Sequence, residues 1–307
     1  MRTQHWTIAD IPDLTGKTII VTGGNSGLGF EAVKAFAARG ARMIMACRSV
    51  SKGEIAKKRI FENLPIANIT VMELDLANLK SINEFAEKFK QDFGRLDVLL
   101  NNAGIMMVPY GLTPDGFENQ LGTNHLGHFA LTGLLLDMLR NTPKSRVVSV
   151  SSIAHKSGVM DYGNLQYENG KDYSPLKAYS RSKLSNLLFT YELQRFFERN
   201  HIDCLALVAH PGVSDTNLFN HAAPQWVLKL LKPVFSAMVQ PASMGVLPEL
   251  RASVDPNATG GEFYGPDGKR EMKGYPVVVA SNAASHDTES ARRLWESSEK
   301  LTGIIFK

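Results

Sequence analysis

The chain is poor in cysteine: Cys47 and Cys204 are the only two among 307 residues. They lie far apart and lack the spacing of a metal knuckle or a disulfide framework, so neither a structural metal site nor a stapled secreted scaffold is expected. No stretch approaches the roughly 18 to 20 apolar residues of a membrane-spanning helix. Met1–Asp13 has no apolar core of signal-peptide length, so no spanning segment is expected. Charge of one sign is also missing. Lys and Arg total 34 against 30 Asp and Glu, a net charge of +4. They are interspersed along helical patterns, which reads as solvated surface rather than a nucleic-acid patch. There is no internal repeat, no low-complexity tract and no linker rich in Pro, Gly or Ser. These absences predict one domain in a reducing compartment, cytoplasmic by default, with a small-molecule substrate, no metal, and room for homo-oligomerisation.

What is present is an alternation of short β-branched or apolar runs with longer helical patterns, the signature of βαβ units around a parallel sheet. Strands are predicted at Thr18–Thr22, Arg42–Cys47, Ile69–Leu74, Val98–Leu100, Arg146–Ser151 and Cys204–Val208, with a short one near Glu262–Tyr264. Helices are predicted near Gly27–Ala38, Lys52–Asn63, Leu79–Phe93, Gly116–Arg140 and Leu176–Asn200. The implied fold is α/β, a doubly wound parallel sheet of Rossmann type. It has a cofactor-binding part at about 14–150 and a catalytic and substrate part at about 151–307. The less regular stretch 213–256, with the amphipathic run Trp226–Val239, is expected to be a helical insertion covering the substrate or, on the plainer reading, to pack as core.

Right-handed crossovers put every strand's carboxyl end on one edge, so residues that end strands are the candidates for ligand binding. Strand one runs into Gly23-Gly24-Asn25-Ser26-Gly27-Leu28-Gly29 and then a helix. Glycines permit positive φ and let backbone amides approach a pyrophosphate, and the helix N-terminus adds partial positive charge. A turn with no ligand can look the same. Strand two ends in Cys47-Arg48, where NAD sites usually carry a carboxylate. A guanidinium there suits the 2′-phosphate of NADP(H), with Lys52 as added charge; the alternative is a solvated arginine.

Taken together with Asp75-Leu76, Asn102-Ala103-Gly104, Asn124, Ser152, Tyr179-x3-Lys183 and Pro211-Gly212 with Thr216, all in order, the chain resembles the short-chain dehydrogenase/reductase family over nearly its whole length. Ala46-Cys47-Arg48, Thr123–Phe129, Ala178–Asn186 and His210–Val213 look most like its retinol-dehydrogenase-type branch, whose members prefer NADP(H). Many vertebrate relatives in that branch carry an N-terminal membrane anchor, and none is expected here.

The resemblance implies an alcohol/carbonyl oxidoreductase with Tyr179 as acid/base. A phenol of pKa about 10 needs roughly 4 kcal/mol of preference for phenolate to exchange protons near neutrality, and an ammonium close by can supply energy of that order. Tyr179 and Lys183, four apart on a helix, share a face. The resemblance also implies that Lys183 binds the nicotinamide ribose and that Ser152, rather than its neighbour Ser151, bonds the substrate oxygen. Asn124 would link Lys183 to a proton path. Asp75 and Leu76 would flank the adenine, and Asn102, Ala103 and Gly104 would lie against the nicotinamide and its ribose. Pro211, Gly212, Val213 and Thr216 would face the carboxamide. His128, on the stripe of Asn124, reads as a satisfied core histidine. Two other readings stand beside catalysis: an NADP-binding regulator without turnover, and a family member with epimerase or lyase chemistry.

Overall fold

β-branched and apolar runs too short for helices pair into one sheet, and the amphipathic segments between them cover its two faces. The computed structural model describes residues 5–214 and 239–307. Thr216 and the Trp226–Val239 run, except Val239, lie outside them. The strands are β1 (Thr18–Thr22), β2 (Arg42–Cys47), β3 (Asn68–Glu73), β4 (Val98–Asn101), β5 (Ser145–Val150), β6 (Cys204–Ala209), β7 (Phe263–Pro266) and β8 (Pro276–Val278). They lie in the order β3-β2-β1-β4-β5-β6-β7-β8, a doubly wound sheet of Rossmann type. All neighbours are parallel except β7 and β8, which are antiparallel. The hairpin to β8 was not expected, because three residues beginning with a proline carry almost no strand pattern.

The main helices are α1 (Gly27–Ala37), α2 (Val50–Phe61), α3 (Leu79–Asp92), a composite α4 (119–140), α5 (Pro175–Arg199), α6 (Leu247–Val254) and α7 (Thr288–Thr302). The sheet order reverses between β1 and β4, so a crevice opens at the carboxyl ends of these two strands. Val21 pairs with Leu100, and Val150 with Ala209, which brings the strand ends to one edge.

Two expectations are corrected and one helix was missed. The predicted helix Gly116–Arg140 is not continuous. It begins at Asn119, where the Glu118 carboxylate caps the amides of Gln120 and Leu121 at 2.8 and 2.7 Å. It then passes through a π-helical turn, Gly122–Leu126, into Gly127–Leu134, and restarts as Leu136–Arg140. The described end of the expected substrate-covering insertion is part of the core instead. In α6, Leu247, Leu250, Ala252 and Val254 are buried with Val148, Val150 and Leu207 of the sheet. Pro248 made this stretch look irregular, yet proline is tolerated in a helix's first turn. Finally, α7 was missed because its outer face is polar. Asp287 caps it, its Ala291 and Leu294 pack on Leu184 and Leu188 of α5, and Trp295 joins Phe129, Phe189 and Phe306.

Both cysteines are free and buried. Among the described residues no helix is long and apolar enough to cross a membrane, and no group of His, Cys, Asp and Glu could hold a metal ion.

At the opposite edge, Asp97 is 5% exposed and binds the Thr18 amide (2.9 Å), the Arg95 guanidinium (2.6 and 2.8 Å) and the Lys17 ammonium (3.1 Å). Burial alone would raise its pKa, but these partners hold it below the usual carboxylate value. Asp97→Ala is therefore expected to cost about 2–3 kcal/mol in urea denaturation at neutral pH. A carboxyl depressed in the folded state stabilises above its unfolded pKa, about 3.9, and loses that contribution as pH falls through the folded value. The gap between wild type and variant should therefore close in acid.

Candidate active site

The glycine turn leaves β1 with Gly23 at φ +66° and Gly27 at φ +54°, backbone conformations that side chains rarely adopt. A Cβ on Gly29 would lie 2.4 Å from the Gly23 carbonyl oxygen and 2.6 Å from Asn102 Nδ2, so helix, turn and β4 meet without room for a side chain. Ser26 precedes α1 but its hydroxyl caps none of the first-turn amides. Those amides face the crevice at a helix N-terminus, which fits a pyrophosphate. Leu28 turns its side chain into the core, whereas Asn25 and Ser26 are partly or fully exposed. Beyond β2, Arg48 and Lys52 are exposed and have no ion-pair partner among the described residues. Ser49 caps α2 through the Lys52 amide, with the Ser51 hydroxyl 3.0 Å away. Beyond β3, Asp75 Oδ1 accepts the Ala77 amide at 3.0 Å, and Leu76 is buried.

Thr22, the last residue of β1, ties this turn to the end of β4. Its Oγ1 accepts the amides of Asn102 and Ala103, both at 2.9 Å, and lies 2.9 Å from His128 Nε2. The other ring nitrogen of His128 is 3.0 Å from the Asn124 carbonyl oxygen. A carbonyl only accepts, so Nδ1 carries the proton and Nε2 accepts from the threonine hydroxyl. His128 is thus fully bonded in the core, and burial pushes its pKa down to about 4. Asn102 Nδ2 donates to the Thr22 carbonyl, closing the seam.

The π turn places Asn124 over the chain leaving β4. Its amide donates to Ile105 O and Ser182 Oγ, each at 2.9 Å, and its Oδ1 accepts the Ile105 amide at 2.8 Å. A single extra residue in a helical turn re-aims a side chain in this way, often at functional sites. Gly104 is small for a reason: a Cβ there would come 3.1 Å from Asn124 Oδ1 and 3.5 Å from Lys183 Nζ.

Tyr179 and Lys183 lie on α5 and are buried at 6% and 4% exposure. Lys183 Nζ donates to the Val150 carbonyl at 2.9 Å and stands 5.8 Å from the centre of the Tyr179 ring. Burial lowers its pKa to about 8. Burial also pushes the Tyr179 phenol up to about 12, opposed by the nearby Ser152 hydroxyl. The adjacent Ser151 is occupied elsewhere, donating to the Lys183 carbonyl at 2.8 Å. Ser152 caps the short 3-10 turn Ile153–Ser157 through the Ala154 amide and keeps its hydroxyl toward Tyr179. After β6, Gly212 takes φ +63°, Pro211 O accepts Ser214 Oγ and Gln240 Nε2, and the Val213 amide donates to Met272 O at 2.7 Å.

Several residues at this site escaped the sequence reading because their partners are distant in the chain. Gln120 accepts the Met107 amide and donates to Tyr173 Oη and Pro175 O. Arg181 donates to the carbonyls of Val159, Asn164 and Leu165 and lies over the Tyr167 ring. Together they brace the long connection between Ser152 and Tyr179. Glu249, on α6, is fully buried with neither carboxylate oxygen hydrogen-bonded among the described residues. Burial raises its pKa to about 8, and the Lys183 charge opposes that rise.

A glycine turn at the switch point of a doubly wound sheet defines the dinucleotide-binding class, and a family model described as short chain dehydrogenase matches residues 17–225. The chain belongs to the short-chain dehydrogenase family. Within it, the chain falls in the retinol-dehydrogenase-like branch. Retinol dehydrogenase 12 of Homo sapiens is 41% identical over 95% of this chain and 88% of its own length. Retinol dehydrogenase 13 of Homo sapiens is 38% identical over 95% and 86%. A crystal structure of an uncharacterized protein from Mycobacterium paratuberculosis has a TM-score of 0.83 at 41% identity, covering 99% of this chain and 100% of that one. The RhlG/NADP complex from Pseudomonas aeruginosa, at 20% identity and a TM-score of 0.63 over 82% of this chain and 94% of that one, shares the fold. Family membership makes the chain an NAD(P)-binding oxidoreductase of alcohols and carbonyls.

Thr22→Val keeps the shape of the side chain but leaves two amides and His128 Nε2 without their partner. It is expected to lower stability by about 2–4 kcal/mol, and to weaken coenzyme binding, in thermal melts with and without NADPH.

Proposed function

We propose that the chain is an NADP(H)-dependent oxidoreductase interconverting a hydrophobic alcohol and its aldehyde or ketone, with Tyr179 as acid/base. The observation that carries this reading is the buried pair of Tyr179 and Lys183 on one helix face, the ammonium 5.8 Å from the centre of the phenol ring, with the Ser152 hydroxyl biasing the phenol toward phenolate. In the reducing direction Tyr179 gives its proton to the carbonyl oxygen as negative charge builds there, and the Ser152 hydroxyl donates to the same oxygen. NADPH, when bound, supplies the hydride and, once oxidised, a positive charge that favours the phenolate. That help matters here, because burial holds the phenol near 12. Lys183 holds the nicotinamide ribose and adds its own charge, and Asn124 completes the set by fixing the 104–105 segment beside Lys183. On this reading residues of about 14–150 hold most of the coenzyme and those of about 151–307 supply most of the chemistry, with Asn124, Lys183 and the Pro211–Gly212 turn crossing that division.

The unpaired Arg48 and Lys52, the Ser49 and Ser51 hydroxyls, and the neutral Cys47 at the end of β2 support a 2′-phosphate there. An apolar substrate is supported by Ile105, Met106, Met107, Val108 and Tyr110 beyond β4, braced by Gln120 and Tyr173. The printed names of the retinol dehydrogenases also point to a lipophilic alcohol.

Tyr179→Phe is expected to lower NADPH-coupled reduction of a retinoid or aliphatic aldehyde by roughly 10²–10⁴-fold, with NADPH binding nearly unchanged by fluorescence titration. Turnover equal to wild type refutes the acid/base assignment. Arg48→Asp should weaken NADPH binding about 10- to 100-fold while sparing NADH. Equal loss or no loss for both coenzymes counts against the phosphate site.

A further inference from the structure

His210 directly follows β6, is fully buried and has both ring nitrogens bonded. The Gly212 amide donates to its Nδ1 at 3.2 Å, so Nδ1 accepts and the proton sits on Nε2. That Nε2–H donates to Glu271 Oε2 at 3.1 Å. The other oxygen of the same carboxylate, Oε1, receives Lys156 Nζ at 2.9 Å. Lys156 belongs to the 3-10 turn Ile153–Ser157 that Ser152 caps, and the next-door His155 donates both its amide and its Nδ1–H to the Ser152 carbonyl. One carboxylate therefore joins the turn that carries Ser152 to the Pro211–Gly212 turn.

The surroundings are shaped around this bridge. A Cβ on Gly265 of β7 would lie 2.2 Å from His210 Nε2, and one on Gly212 would lie 2.3 Å from Met272 O. Arg270 and Glu271 are consecutive non-glycine residues at φ +55° and +58°. Conformations of this kind persist only where surrounding contacts hold them, and they gather at functional segments. Glu271 is 23% exposed and its carboxyl is held down to about 2, chiefly by the His210 hydrogen bond, so it is ionised across the physiological range.

We propose that Glu271 is a positioning residue for hydride transfer, setting through Lys156 and His210 the separation of the Ser152 hydroxyl from the nicotinamide-facing turn. The proposal rests on the oxidoreductase reading above. Hydride transfer depends steeply on the placement of the carbonyl carbon over the nicotinamide, and Ser152 fixes the carbonyl from one side while the Pro211–Gly212 turn fixes the ring from the other. Neither arm of the bridge touches a reacting atom, so its loss should appear in the chemical step rather than in coenzyme affinity.

The test compares wild type with Glu271→Ala, Glu271→Gln and Lys156→Met, measuring kcat and KM for an aliphatic aldehyde, the NADPH dissociation constant and the melting temperature. Glu271→Ala is expected to lower kcat about 100-fold, with the NADPH dissociation constant within about threefold of wild type. Glu271→Gln keeps an acceptor for His210 but loses the ion pair. It should fall about 10-fold, and Lys156→Met should match it. Unchanged kcat in Glu271→Ala, or a loss of kcat that only parallels lost coenzyme binding, overturns the proposal. If Glu271→Ala does not fold, Lys156→Met decides, since it cuts one arm from the surface; full kcat in that variant also overturns the proposal. A wild-type protein that binds NADPH yet reduces no carbonyl overturns the oxidoreductase reading itself, which separates the two failures.

Discussion

The site depends on a buried hydrogen-bond chain that has to be complete: the Asn102 and Ala103 amides to Thr22 Oγ1, its hydroxyl to His128 Nε2, and His128 Nδ1–H to the Asn124 carbonyl. Thr22, His128 and Asn124 are buried, where a missing partner costs the full desolvation of the group left behind. The chain therefore holds β1, β4 and the π turn at one spacing. The glycine turn, the 102–104 segment and Asn124 take their positions from it. His128 takes part only as a neutral ring, and burial keeps it neutral.

The same dryness that enforces this bonding sets the electrostatics of Tyr179 and Lys183. Sequence spacing suggested an ammonium close enough to depress the phenol. In the folded chain alone, burial dominates both groups, raising the tyrosine and lowering the lysine. The phenol is thus a poor proton exchanger until positive charge arrives beside it. The Ser152 hydroxyl works in the opposite direction. Glu249 adds a second buried titratable group within the field of Lys183, and at neutral pH its raised pKa favours the uncharged carboxyl.

Most of the sheet was legible in the chain because β-branched runs and glycine turns act locally, through torsional preference and steric room. The break in the long helix was not legible, since a π turn keeps the apolar character of its stripe while adding one residue. Leu247–Val254 was misjudged for the opposite reason: its proline is a local signal, but the sheet face that buries Leu250 comes from strands far away in sequence. At the site, the four-residue spacing of Tyr179 and Lys183 and the glycine turn could be read directly. Gln120, Arg181, Glu249 and Glu271 could not, because an isolated polar residue carries no periodic signature and their partners lie on other elements.

What the sequence by itself determined is the set of groups and their order along the chain: a turn that only glycines can make, a cation where a carboxylate often stands, and a phenol and an amine on one helix face. These follow from φ preferences, helical geometry and the chemistry of side chains, all of which are local. Only the tertiary structure decided the partners of the two adjacent serines, since Ser151 donates to the Lys183 carbonyl while Ser152 caps the 3-10 turn that follows. It also buries the phenol, which raises its pKa. Solvent exclusion and hydrogen-bond competition depend on elements brought together from across the chain, and no local pattern records them.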